Sequence, residues 1–105
     1  MIITGMDNFQ NICRQRLVEW YNSQDFGERE PITLDDTFVV WSCKILQNYK
    51  CLASTTAPGD GIYAEYTFNG DKKELYEDVY KKIVNQAYTE EFLELTHEYS
   101  CAIKK

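Results

Sequence analysis

Cysteine and histidine side chains, which supply most nucleophiles and metal ligands, are few and widely spaced in this sequence. Cys13, Cys43, Cys51 and Cys101 form no Cys-x-x-Cys pair, and His97 is the only histidine. A zinc site with the usual local spacing is therefore not expected. No serine or cysteine is spaced to make His97 a catalytic base, and its acidic neighbours favour a surface ion pair. Without a phosphate-binding loop, glycine-rich fingerprint or paired-carboxylate motif, we expect neither an enzyme nor a cofactor.

Acidic side chains are the second group with functional potential. Glu90, Glu94 and Glu98 recur every four residues, so they share one face of a predicted helix. Asp35 and Asp36 end a strongly acidic linker earlier in the chain. Together these carboxylates predict a binding surface for a basic protein partner. The alternative is a solvated surface with no partner.

Two adjacent lysines, Lys72 and Lys73, begin another predicted helix, where backbone amides converge and can bind an anion. Asp71 and Glu74 flank them and match a capping box, with Asp in place of the usual Ser or Thr. Lys72 and Lys73 are therefore the candidate nucleic-acid-binding residues. The alternative is that Asp71 and Glu74 already cap the helix, so that its N-terminus binds no anion.

Length and composition favour one domain with its own core. The chain has 105 residues, 44% of them hydrophobic, and a net charge of −6 that opposes simple binding to phosphate backbones. No apolar run approaches the roughly 18 residues of a membrane span, and the N-terminus does not resemble a signal peptide. We therefore expect a cytoplasmic protein with reduced thiols. Cys43 and Cys51 flank the first turn between strands, where they form either a disulfide or two small apolar side chains.

The first third of the chain is predicted to be a helix and a linker. Residues 7–23 carry apolar side chains at helical spacing, and Asp7 is placed to cap the helix start. Trp20 belongs to the apolar stripe and is expected in the core. The acidic linker occupies residues 25–36, where Gly and Pro interrupt the helical pattern.

Three strands follow, predicted over residues 37–46, 50–56 and 62–68. In the first strand, Trp41 alternates with Val39 and is expected beside it on the buried face. The tyrosines are more numerous than a core of this size needs. They are expected either at the core boundary or in an exposed aromatic patch that serves a protein interface or base stacking.

The remainder is predicted to be helical, with a second helix over residues 72–87 and a third starting at Thr89. The resulting order is α-β-β-β-α with an added C-terminal helix. This is an α+β fold in which helices pack on one face of a three-stranded antiparallel sheet. The single domain divides into an N-terminal helix at 1–24, the acidic linker at 25–36, the sheet and second helix at 37–87, and a C-terminal helical extension at 88–105.

The stretches VVWSCKILQNYK and GIYAEYTFNGDKKELYEDVYKK carry a family resemblance. They are similar to small uncharacterised proteins from phages and prophages of Gram-positive bacteria. In that family a VVWSCK-LQN segment precedes a G-YYE-TYNGDK-E-Y-D-YKK segment. The likeness covers residues 37–86, and residues 88–105 extend beyond the usual end of the family. It implies a phage-encoded accessory protein in the bacterial cytoplasm and brings no catalytic residues with it.

A weaker resemblance concerns topology. The α-β-β-β-α order with lysines at the start of the last helix is similar to the double-stranded RNA-binding domain, whose lysine run (KKxAK) grips phosphates across a groove. Lys72 and Lys73 match the first two lysines, whereas Tyr76 replaces the third.

Three hypotheses about function follow from these patterns. The first is a phage or prophage accessory protein that binds a host protein through its acidic surface and exposed aromatics. Its role would be anti-defence, inhibiting a host nuclease system as an anti-CRISPR protein does. The second is a nucleic-acid-binding module of the dsRNA-binding type that uses Lys72 and Lys73. The third is a small homo-oligomeric assembly protein, in which the third helix drives homodimerisation.

Overall fold

The computed structural model describes residues 3–24, 30–57 and 61–103, with side chains described as far as residue 96. The elements follow one another as a helix, a 3-10 turn, four strands and a second helix. The start of the acidic linker, residues 25–29, lies outside the described residues. So do the side chains of His97, Glu98 and Cys101.

The first element is helix α1, Met6–Ser23, which confirms the predicted N-terminal helix. Its buried side chains recur every three or four residues along one side. They are Phe9, Cys13, Leu17, Val18 and Tyr21. The predicted cap is wrong, because Gly5 is the N-cap residue. Asp7 lies in the first turn, where its charge faces the positive end of the helix dipole.

A 3-10 turn, Leu34–Asp36, leads from the linker into the sheet and is tied to α1. The Asp36 carboxylate accepts a hydrogen bond from the Thr33 backbone amide at 2.8 Å. The Arg14 guanidinium of α1 donates one hydrogen bond to the Thr37 hydroxyl at 3.0 Å and another to the Leu34 carbonyl oxygen at 2.8 Å. These bonds fix the start of the first strand against the helix.

Four strands form one antiparallel sheet in chain order. They are β1 (Thr37–Ile45), β2 (Asn48–Thr55), β3 (Ile62–Asn69) and β4 (Glu74–Lys81). The first three confirm the predicted strands. The hairpin register, which the sequence left open, is set by the two-residue loop between Ile45 and Asn48. Leu46 in this loop has φ 56°, a left-handed conformation that tight hairpin loops use.

The predicted second helix is wrong, and so is the predicted three-stranded sheet. Residues 72–87 belong instead to a hairpin loop, to β4 and to a segment without regular secondary structure that follows it. β4 pairs with β3 along its whole length, with Leu75 opposite Phe68 and Val79 opposite Ala64. These pairings half-bury one side of β4, and the contacts within the sheet override the helical propensity of the segment.

The predicted capping box at Asp71 and Glu74 is a hairpin loop, with Glu74 as the first residue of β4. The side-chain oxygen of Asn69 accepts hydrogen bonds from the backbone amides of Asp71, at 3.0 Å, and Lys72, at 3.1 Å. An Asn side chain that bonds the backbone in this way favours a chain reversal over a helix start.

The core lies between α1 and one face of the sheet, which we call the inner face; the opposite side is the outer face. The main cluster of buried side chains comprises Ile3, Phe9, Cys13, Leu17, Tyr49, Cys51, Ala53, Ala64, Tyr66 and Phe68. A smaller cluster near the end of α1 comprises Val18, Tyr21, Ile32 and Ile62. Small residues at the centre of the sheet, Ala53 and Ala64, leave room for the helix to approach.

The chain continues past β4 as a C-terminal arm, which we define as residues 82–103. Its first part, 82–89, has no regular secondary structure, and its second part is helix α2, Glu90–Ile103, which confirms the predicted C-terminal helix. The radius of gyration is 18.3 Å, whereas a compact domain of this length would have about 13 Å. No helix in the described ranges is long and apolar enough to cross a membrane.

Candidate protein-binding surface

Aromatic side chains stay exposed on the outer face of the sheet. Strand alternation and register place them there: Phe38 and Trp41 of β1, Tyr63 of β3, and Tyr76 and Tyr80 of β4. Each is between 37% and 50% exposed. We call these five residues the outer aromatic face. Soluble monomers seldom leave large apolar groups clustered in this way, so the surface is a candidate interaction site.

Trp41 joins the outer aromatic face because β1 contains a β-bulge. Val39 pairs with Ala53, whereas Trp41 pairs with the adjacent Leu52, so Val40 is the extra residue. The prediction that Val39 and Trp41 share the buried face is therefore wrong. Val39 packs against the core on the inner face, and Trp41 is 50% exposed on the other.

Two of the aromatic rings are already stacked. Tyr63 and Tyr80 face each other across β3 and β4, with ring centroids 5.2 Å apart and an angle of 20° between the ring planes. This contact holds both rings in place before any partner arrives. Tyrosine also combines an apolar ring with a polar hydroxyl, which suits a surface that must tolerate both water and a partner.

Charged residues among the aromatics make the outer face acidic. The Lys50 ammonium pairs with the Glu65 carboxylate at 3.1 Å. Glu74 and Asp78 add negative charge along β4, and the Tyr76 hydroxyl donates to Glu74, which raises the pKa of Tyr76. Bases can stack on aromatic rings, but their phosphates would meet this negative charge.

A shallow groove of about 220 Å³ extends the outer face towards the β1–β2 hairpin. It is lined by Cys43, Ile45, Asn48, Tyr49, Lys50 and Thr67. Sites for small organic ligands usually enclose roughly 300–1,000 Å³. The groove is therefore smaller than the usual site for a small organic ligand.

Sequence reasoning left open whether the tyrosines, Tyr63, Tyr76 and Tyr80 among them, lie at the core boundary or in an exposed patch, and it did not include Trp41. Trp41 was assigned to the core because a bulge leaves no clear mark in the sequence. Tyr76 and Tyr80 were assigned to a helix, because the apolar residues of the segment ELYEDVYK recur four residues apart. The Asn69–Gly70 pair that precedes the segment is a local signal for a hairpin turn, and it favours a strand here.

Two cysteines meet on the inner face, and they are not the pair that the sequence suggested. Cys13 of α1 and Cys51 of β2 are fully buried in the same core cluster. The contact with Cys51, together with burial, raises the pKa of the Cys13 thiol, which keeps it protonated and unreactive at neutral pH. Cys43 pairs with Lys50 on the outer face, and both Cys43 and Cys51 are free thiols. The alternative of a Cys43–Cys51 disulfide is therefore wrong.

A partly buried polar network links α1 to the inner face. The Tyr66 hydroxyl donates to the Glu77 carboxylate at 2.8 Å, and Arg16 reaches the same carboxylate at 3.3 Å. Burial, together with the hydrogen bond to Glu77, raises the pKa of Tyr66. Arg16 also pairs with Glu19 on its own helix at 2.6 Å. Because these groups pair with one another beneath α1, we assign the network a structural role.

The acidic residues predicted to bind a partner lie on two separate elements. Asp35 and Asp36 occupy the 3-10 turn directly before β1. Glu90 and Glu94 are exposed in the first half of α2, on the C-terminal arm, and the side chain of Glu98 lies outside the described residues. The two groups belong to different parts of the molecule, and their role in binding stays a prediction.

Lys72 and Lys73 do not begin a helix. Both are exposed in the loop between β3 and β4, where Lys73 has φ 56°. The helix start on which their predicted role depended is a hairpin loop, so the α-β-β-β-α order of the dsRNA-binding domain does not describe this fold. Within the part of the chain that the structure describes, no three His, Cys, Asp or Glu residues are grouped to hold a metal ion.

The molecule is thus a small α+β protein with one helix on a four-stranded antiparallel meander and an aromatic surface on the opposite face. A family model matches residues 10–90, and the chain belongs to that family, described as "Family of unknown function (DUF6275)". This agrees with the prediction of an uncharacterised family. The match begins within α1 and reaches the first residue of α2. Comparisons with curated proteins and with solved structures found no match.

Proposed function

We propose that this protein acts by binding another protein, and that the outer aromatic face is its contact surface. The observation that carries the proposal is the set of five exposed aromatic side chains on a sheet face that α1 does not cover. Trp and Tyr are enriched among the residues that dominate binding energy at protein interfaces. The strands beneath them are rigid, so little ordering is required when a partner binds.

The finer proposal is that the protein is an accessory protein encoded by a phage or prophage and that its partner is a host protein in the bacterial cytoplasm. The sequence resemblance supports the origin. The net charge of −6 supports a partner with a basic surface, such as a nucleic-acid-binding nuclease of a host defence system. Asp35 and Asp36 support it further, since they directly precede the strand that carries Phe38 and Trp41.

Affinity capture from a lysate of the bacterial host, with surface variants as controls, tests the proposal. The wild-type protein is expected to enrich a specific protein, which mass spectrometry identifies. The double variant Trp41→Ala/Tyr76→Ala should weaken binding of that protein by about tenfold or more, because interface aromatics often contribute at least 2 kcal/mol. Circular dichroism would show that the variant keeps its fold.

The control is Glu90→Lys/Glu94→Lys, which reverses the charge on α2 and leaves the outer face unchanged. This control is expected to retain most of the captured partner. If the charge reversal abolished capture and the aromatic variant did not, the contact surface would be the acidic side of α2. If the wild-type protein enriched nothing, the proposal of a host partner would fail.

A further inference from the structure

The C-terminal arm exposes six large apolar side chains. Its large apolar side chains are all at least half-exposed: Ile83 at 95%, Val84 at 71%, Tyr88 at 59%, Phe92 at 50%, Leu93 at 53% and Leu95 at 61%. Every described side chain from residue 82 to residue 96 is exposed. Within the described ranges, no other part of the chain covers these apolar side chains.

Helix α2 has an apolar side and an acidic side. At 100° per residue, Phe92 and Leu95 lie on one side, and Glu90 and Glu94 lie on the other; Leu93 and Glu91 fall at the boundaries between them. Tyr88 extends the apolar side towards β4, because its ring stacks on Phe92 with centroids 5.4 Å apart. A surface can thus approach the apolar side of α2 without burying Glu90 and Glu94.

A helix of this length needs tertiary support. α2 has 14 residues, and isolated helices shorter than roughly 12–15 residues are marginal in water. Its N-terminus is capped by the Thr89 hydroxyl, which accepts a hydrogen bond from the Phe92 amide at 3.2 Å. A cap contributes only about 1 kcal/mol, so packing of the apolar side must supply the rest.

We propose that the C-terminal arm is a dimerisation element, in which the apolar side of one arm packs against the apolar side of the arm of a second copy. If a fully exposed large apolar side chain presents about 150–200 Å², the five large apolar side chains other than Leu93 offer roughly 500–700 Å² per copy. Standard protein interfaces bury about 600–1,000 Å² on each partner. Two arms therefore reach the lower end of the area that a stable dimer needs.

The properties of the arm favour a second copy of this chain as its binding partner. A twofold interface places the same patch of each copy against the other, and an apolar stripe with its charges turned outward is complementary to itself. The body of the protein does not need the arm, since the core clusters and the side chains packed against them end at Val79 of β4. The pairing also leaves the outer aromatic face free, so the dimer would present two such faces.

The test is the molar mass of the full chain in solution, measured by light scattering after gel filtration. A dimer is expected, at twice the monomer mass of 12.3 kDa. The variant Phe92→Glu/Leu95→Glu places charges on the apolar side of α2 and should yield the monomer. The matched control, Glu90→Gln/Glu94→Gln, alters the opposite side of the same helix and should stay dimeric.

Two further measurements can contradict dimerisation through the arm. Trp41→Ala/Tyr76→Ala should stay dimeric, and loss of the dimer in this variant would place the interface on the outer aromatic face instead. A wild-type chain that is monomeric with a radius of gyration near 13 Å, the value for a compact domain, would mean that the arm folds back on its own body. That result, or a dimer that survives Phe92→Glu/Leu95→Glu, would overturn the proposal.

Discussion

The inner and outer faces of the same four strands differ in what covers them. On the inner face, small and large side chains alike are fully buried, with Cys51, Ala53 and Ala64 beside Tyr66. The outer face instead carries large aromatic side chains that keep 37–50% of their surface exposed. The inner side chains pack against α1 of the same chain, whereas the outer ones are accessible to a separate molecule. Stability is therefore expected to reside on the inner face and binding on the outer face.

The largest expected effect comes from removing the same side chain from each face in turn. Phe9 of α1 is fully buried against the inner face, and its ring lies 5.1 Å from that of Tyr49. Phe9→Ala should lower the free energy of unfolding by about 3–5 kcal/mol, because it removes a buried ring and leaves a cavity. Phe38→Ala, on the outer face, should lower it by only about 1 kcal/mol. Urea unfolding of both variants measures the difference, and equal losses would contradict the division between the two faces.

The difference between the faces could be foreseen only in part from the sequence. α1, β1, β2 and β3 could be predicted because each has one dominant periodicity. β4 could not, because Leu75 and Val79, like Tyr76 and Tyr80, are four residues apart. A spacing of four keeps two residues on one side of a helix and also on one face of a strand. The pairing with β3 distinguishes the two, and that pairing is a contact between distant parts of the chain.

The bulge at Val40 limits prediction in another way. The one-residue shift moves Trp41, Cys43 and Ile45 to the face opposite Val39, so most of the outer-face residues of β1 follow from a local irregularity. The sequence around Val40 is apolar on both sides and offers no glycine to mark a bulge. The candidate site was therefore less predictable than the fold. It depends on strand β4 and on the bulge at Val40, and the alternation of apolar and polar residues reveals neither of them.

A second prediction concerns the polar network on the inner face. Tyr66→Phe removes the hydroxyl that donates to Glu77 at 2.8 Å, and it should lower the free energy of unfolding by about 1.5–3 kcal/mol at neutral pH. The pKa of Tyr66 is raised above its ordinary value of 10.0 in the folded protein. This tyrosine therefore ionises first in the unfolded chain, so its contribution to stability is complete below about pH 10 and falls as the pH rises further.

The advantage of the wild-type protein over Tyr66→Phe should accordingly shrink above about pH 10, by up to 1.36 kcal/mol per pH unit. Urea unfolding of both proteins across the alkaline range measures this difference, and subtraction removes the titration of all other groups. A constant difference between the two proteins at every pH would show that the Tyr66 hydroxyl is not held in a buried network.

The smallest expected effect tests whether the outer face is ordered before a partner binds. Tyr63 and Tyr80 are stacked across neighbouring strands, so the variants Tyr63→Ala and Tyr80→Ala should not be additive. A double-mutant cycle on the free energy of unfolding should give a coupling of about 0.5–1 kcal/mol. The control pair is Trp41 and Tyr80, which lie on the two edge strands, roughly 14 Å apart at about 4.8 Å per strand. Their variants should add to within about 0.3–0.5 kcal/mol.

Zero coupling between Tyr63 and Tyr80 would mean that the rings become ordered only on binding. The outer face would then resemble an adaptable surface rather than the rigid one that its strands indicate, and its affinity for any partner would be reduced by the ordering that binding requires.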